Sequence, residues 1–124
     1  PIGDVYQPAL RGKFYAMSAY YLPISVWGLK GNETSIKDIQ TAATRWCSFS
    51  MAELRMLRPD ISPLYLSSYC FIGTLGTSLL KHYGFDINDK HAITFTDRVG
   101  STHLSWTLGA MVLAAEKIES SAYF

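Results

Sequence analysis

With 124 residues, 48% hydrophobic and only 17% charged, the chain has the length of one ordinary domain and enough apolar surface to bury a core. Its net charge of +1, with Lys and Arg scattered along the chain, argues against a nucleic-acid binder, which needs a concentrated basic face. No apolar run approaches bilayer length, the tail 120–124 included, so no membrane span is expected.

Residues 1–13 read as an irregular lead-in broken by Pro8 and Gly12. The start at Pro1 without a leader is the expectation for a trimmed or cleaved segment. Aromatic residues separated by small ones predict a buried strand over 14–21. Pro23, tolerated in a first turn, then opens a short helix over 24–29 that Gly31 and Asn32 end. Asn32-Glu33-Thr34 is an N-glycosylation sequon in that polar turn.

Ser35 and Asp38 resemble a capping box, and Ile36, Ile39, Ala43 and Trp46 share one face of the helix that follows. Ser50 and Glu53 make a second capping box for a short helix with Leu54 and Leu57 on its apolar side, stopped by Pro59. The longest helical pattern covers 62–83, with Leu66, Tyr69, Ile72, Leu75, Leu79 and Tyr83 as its stripe and Gly84 just past its end. Gly73 and Gly76 inside it cost about 1 kcal/mol each in helix propensity, which predicts close packing against a neighbouring backbone. A short strand over 92–96, a turn at Gly100-Ser101-Thr102 and a final helix over 105–118 complete the chain. The class is therefore α/β and helix-rich. Its few strands form an incomplete sheet, since two strands are marginal alone; the missing strands are expected in preceding sequence or another chain.

Chemical signatures are sparse. No Walker A loop, His-Glu-x-x-His, Gly-x-Ser-x-Gly or Cys-x-x-Cys occurs. His82, His91 and His103 lack ligand-like spacing and are expected to be solvated. Asp86-Ile87-Asn88-Asp89 begins like a calcium loop but then fails it at Lys90, His91 and Asp97, so a turn is expected. Trp106 fits either a core or the edge of a ligand cleft, and Tyr20, Tyr21 and Tyr65 fit either structural packing or stacking on a base. Cys47 and Cys70 fit buried thiols or a disulfide; with the sequon at Asn32 they favour the secretory pathway, extracellular or in the Golgi or ER lumen.

Several blocks in order resemble the C-terminal part of an apyrase, a nucleoside triphosphate diphosphohydrolase. They are Val5-Tyr6-Gln7-Pro8-Ala9-Leu10-Arg11-Gly12, Phe14-Tyr15-Ala16-Met17-Ser18-Ala19-Tyr20-Tyr21, the pair Cys47 and Cys70 with Tyr69 before the second, Tyr83-Gly84-Phe85, and Ser105-Trp106-Thr107-Leu108-Gly109-Ala110-Met111. The resemblance implies an actin-like, two-lobed, RNase H-like nucleotidase. Such an enzyme hydrolyses the terminal phosphate anhydride of nucleoside di- and triphosphates with Mg²⁺ or Ca²⁺, water as nucleophile and a Glu as base. The phosphate loops, that Glu and the metal ligands belong to motif regions that this segment does not contain, so the segment alone is expected to be inactive and to need the remainder of the same polypeptide.

By the same resemblance, Trp106 helps to position the water shell of the cation, and Cys47 and Cys70 form a disulfide bracketing a base-side loop. The base-stacking Tyr of some members falls at Leu22, beside Tyr21, and their Arg falls at Tyr65. The sequence departs from that pattern on both sides, so no base preference is carried over. Residues 1–97 are expected in the second, nucleotide-base lobe and 98–124 in a helix crossing back to the first. The rival reading is a secreted, non-catalytic nucleotide-binding or interaction module.

Overall fold

The computed structural model describes residues 3–117. The predicted helix end at Ile118 and the tail 120–124 lie outside the described residues. Strand β1 (Phe14–Ala16) leads through a 3-10 turn (Ser18–Tyr20) into helix α1 (Tyr21–Val26). Helices α2 (Ile36–Cys47), α3 (Met51–Leu57) and α4 (Pro63–His82) follow. Strand β2 (Ile93–Phe95), the hairpin β3 (Arg98–Val99) and β4 (Thr102–His103), and helix α5 (Trp106–Glu116) close the chain.

The strand expected over 14–21 is thus mostly turn and helix. Ser18 adopts φ 57°, a left-handed conformation that cannot continue a strand, and the chain coils from there. The next helix starts at Tyr21 and ends earlier than predicted, because Gly28 at φ 72° reverses the chain and lets Leu29 N–H reach the Ile24 carbonyl at 3.0 Å. Gly31, expected as the stop, instead closes a turn against β2. Its carbonyl accepts the Phe95 N–H at 2.9 Å, and a Cβ there would lie 1.8 Å from the Phe95 oxygen.

β1 pairs in parallel with β2, Phe14 opposite Ile93 and Ala16 opposite Phe95. That two-stranded sheet supplies Ala16, Ile93 and Phe95 to a core shared with Ile24, Ile36, Ile39 and Leu80. A second core of Trp46, Leu54, Leu66 and Tyr69 sits between α2, α3 and α4. Helix α4 packs along α2 and touches both cores, so it organises the molecule.

The buried face of α4 differs from the predicted stripe. Leu66, Tyr69, Gly73, Thr77 and Leu80 are buried, whereas Leu75 is exposed. The face is rotated because the glycines admit rings: a Cβ on Gly73 would lie 2.3 Å from the Trp27 ring, and one on Gly76 3.3 Å from Tyr20. The close neighbours are therefore side chains, where a backbone was expected. Thr77 is tolerated on this face because its hydroxyl donates to the Gly73 carbonyl at 3.1 Å.

Both capping boxes form in full. The Asp38 N–H donates to Ser35 Oγ while the Asp38 carboxylate accepts the Ser35 N–H at 2.9 Å; Ser50 and Glu53 repeat the exchange. Cys47 and Cys70 are joined, Cα atoms 5.0 Å apart, tying the end of α2 to α4.

Candidate functional site

Trp106 is the first residue of α5, whose start is capped by Ser105 Oγ accepting the Thr107 N–H at 3.3 Å. It is 65% exposed, so nothing among the described residues covers the ring. It lines a largely apolar groove of ≈ 480 Å³ with Phe14, Tyr15, Tyr20, Tyr83 and Phe85. These side chains come from β1, the turn after it and the end of α4, and the Gln7 amide holds the lead-in there by donating to the Tyr83 carbonyl at 2.6 Å. Burial, and then Tyr83, pushes the Tyr20 phenol up from its usual value, so it stays a neutral hydrogen-bonding group.

The base-side candidates lie elsewhere. Tyr65 occupies the first turn of α4 and is 60% exposed; Leu22 is exposed on α1; Tyr21 packs against the first core. Helices α1 and α4 are in contact, but none of these three residues lines the groove that holds Trp106. The disulfide spans the loop and helix start that carry Tyr65. Asn32 is exposed on its turn, with the sequon's Thr34 buried behind it.

Asp86 and Asp89 have local structural duties: their carboxylates accept backbone N–H groups of Asn88, His91 and Ala92, which is the turn expected there. His91 and His103 are exposed, and His103 Nδ1 lies 3.7 Å from Asp97. Among the described residues no three His, Cys, Asp or Glu side chains converge to hold a metal ion, so these residues do not fit a cation site. Among the described residues, too, no helix is long and apolar enough to cross a membrane.

A second, more polar groove of ≈ 710 Å³ was not foreseen. Its walls include Trp27, Arg45, Trp46, Phe49, Arg58 and Lys90. They come from the end of α1, the side of α2, the end of α3 and the loop before β2, and no sequence pattern joins such distant stretches.

Residues 2–122 match the model of the GDA1/CD39 (nucleoside phosphatase) family. The chain is 33% identical over 116 residues to ectonucleoside triphosphate diphosphohydrolase 1 of Bos taurus, covering 92% of this chain and 23% of that protein. It is 30% identical over 119 residues to ectonucleoside triphosphate diphosphohydrolase 8 of Gallus gallus, 95% of this chain and 24% of that protein. It is 30% identical over 112 residues to probable apyrase 6 of Arabidopsis thaliana, 90% of this chain and 20% of that protein. The chain thus spans less than a quarter of the length of these relatives.

Proposed function

Because the chain belongs to the GDA1/CD39 (nucleoside phosphatase) family, we propose that the polypeptide containing it hydrolyses nucleoside di- and triphosphates at the terminal anhydride. Water adds to the terminal phosphorus, the bridging P–O bond breaks, and orthophosphate leaves with a nucleotide shorter by one phosphate. The observation that carries this reading is the match to that family over nearly the whole chain.

Within that reading the segment is accessory. Anhydride hydrolysis needs dense hydrogen-bonding or cationic groups around the phosphate oxygens. Mg²⁺ or Ca²⁺ and the catalytic base are assigned to the remainder of the polypeptide, in the other part of an actin-like, two-lobed fold. Trp106, exposed at the head of α5, is the residue assigned to the water shell of that cation. Tyr65 is the base-side aromatic, with Leu22 at the position of a stacking tyrosine and Tyr21 beside it.

Residues 98–124, which begin with the β3–β4 hairpin where helix was expected and become helical only at Trp106, are read as crossing back to the first lobe, leaving 1–97 in the nucleotide-base lobe. The apolar side chains of α5 support this: Leu108, Met111 and Leu113 stand 61–71% exposed, and among the described residues no helix is long and apolar enough to cross a membrane. A helix apolar all round belongs in a core, and the polypeptide beyond this segment is its partner. The disulfide, the sequon at Asn32 and the printed names of the ectonucleoside relatives together support an extracellular or lumenal setting.

The test is phosphate release from ATP, ADP, UDP and GDP with Mg²⁺ or Ca²⁺, by the complete polypeptide and by this segment. Release by the complete protein alone is expected. No release by either would overturn the enzyme and leave a nucleotide-binding or interaction protein.

A further inference from the structure

The polar groove between α1, α2 and α3 has no part in the proposed hydrolysis. We propose that it cradles the first sugars of an N-linked glycan on Asn32, making it a carbohydrate site whose ligand is the chain's own modification. This rests on the secretory part of the reading above. The covalent step belongs to the secretory pathway: Asn32 Nδ2 gives up a proton and bonds to C1 of the first sugar as the C1–O bond to a lipid-linked diphosphate breaks, and the diphosphate leaves with the proton balance passing to solvent.

Placement is the first argument. Asn32 is exposed at the tip of its turn, and the residues around it, Lys30, Glu33 and the sequon's own Thr34, line the groove. The turn is anchored at both ends. Gly31 is hydrogen-bonded to Phe95 and closed against its carbonyl, and the buried Thr34 hydroxyl donates to the Lys30 carbonyl at 2.5 Å. A sugar tethered at the rim reaches the groove as an intramolecular ligand, at an effective concentration that needs little intrinsic affinity.

Chemistry is the second argument. A pyranose presents an apolar C–H face and a ring of neutral hydroxyls. Trp27 and Phe49, both partly exposed, supply aromatic surface over the buried Trp46, and the groove's ≈ 710 Å³ lies within the range of small-ligand sites, about 300–1,000 Å³. An ionic ligand is served less well, because most lining charges are already matched. Lys30 lies 3.5 Å from Glu33, Lys90 lies 3.5 Å from Asp38, and Arg58 is forked onto Asp60 at 2.9 and 2.6 Å. Arg45 alone among these cations has no ion pair, which leaves its guanidinium to donate to sugar hydroxyls.

The experiment uses the complete polypeptide secreted from a glycosylating host. Mass spectrometry reads occupancy at Asn32, and a peptide N-glycosidase reads the rate of glycan release under native and denaturing conditions. Expected are an occupied Asn32, native release several-fold slower than denatured release, and faster native release in Arg45→Ala. Ala42→Phe, which fills the groove wall, should do the same at unchanged occupancy. An active, secreted protein bare at Asn32 overturns the cradle, as does native release that neither variant changes. Nucleotide hydrolysis by the same preparation reports separately on the functional reading.

Discussion

Trp106 carries the sharpest prediction at the scale of single residues. In the complete polypeptide Trp106→Ala should lower metal-dependent turnover by about 10–100-fold, as the loss of an outer-shell partner does, with the fold retained. Normal kcat in a folded variant would return the ring to a packing role. Gly73 and Gly76 make a second, paired prediction. Alanine gains about 1 kcal/mol of helix propensity at either site. At Gly73 the new Cβ meets the rigid Trp27 ring at 2.3 Å, and overpacking of this kind costs about 1–3 kcal/mol, so Gly73→Ala should lower the urea midpoint. At Gly76 the contact with Tyr20 is 3.3 Å and yields more easily, so Gly76→Ala should leave the midpoint near wild type. Equal effects would mean that ring contact does not set the rotation of α4.

Helix α2 shows what an element owes to its ends. Hydrogen bonds from Ser35, and more weakly Lys90, hold the Asp38 carboxyl below its usual value; Glu53 is lowered in the same way by Ser50. A carboxyl whose folded pKa is depressed stabilises fully above the ordinary value of about 4 and loses that contribution as pH falls through the folded one. Asp38→Asn should therefore weaken the fold at neutral pH and flatten its acid unfolding curve; an unchanged acid limb would remove the cap from the account. Ser35→Ala, which deletes the cap acceptor, should cost about 1 kcal/mol at neutral pH by thermal melting. The disulfide acts on the other end of α2. Replacing Cys47 and Cys70 by Ser should cost roughly 3 kcal/mol and expose the loop around Tyr65 to faster proteolysis, with α3 loosened beside it.

For the whole molecule, the decisive feature is apolar surface without cover. Helix α5 leaves Trp106, Leu108, Met111, Val112 and Leu113 exposed, and the β1–β2 pair is too small to stand as a sheet. Residues 1–124 made alone should bind a hydrophobic dye and associate, while the complete polypeptide should not; a clean monomer without dye binding would favour the independent module. Much of this was legible in the chain. Both capping boxes, the ends of α3 and α4, β2 and the partial sheet follow from local chemistry: caps, prolines and Gly84 act within one turn. The errors fall where distant groups decide. The strand over 14–21 yields to the left-handed Ser18, and the stripe on α4 turns to admit Trp27 and Tyr20. The position of Trp106 in a groove apart from Tyr65, and the groove beside Asn32, were equally hidden. By itself the sequence determined the family, the helix boundaries set by caps and the cysteines available to pair. Only the tertiary structure decided which faces are buried and which side chains share a cavity, because those depend on contacts between stretches whose order along the chain says nothing of their meeting.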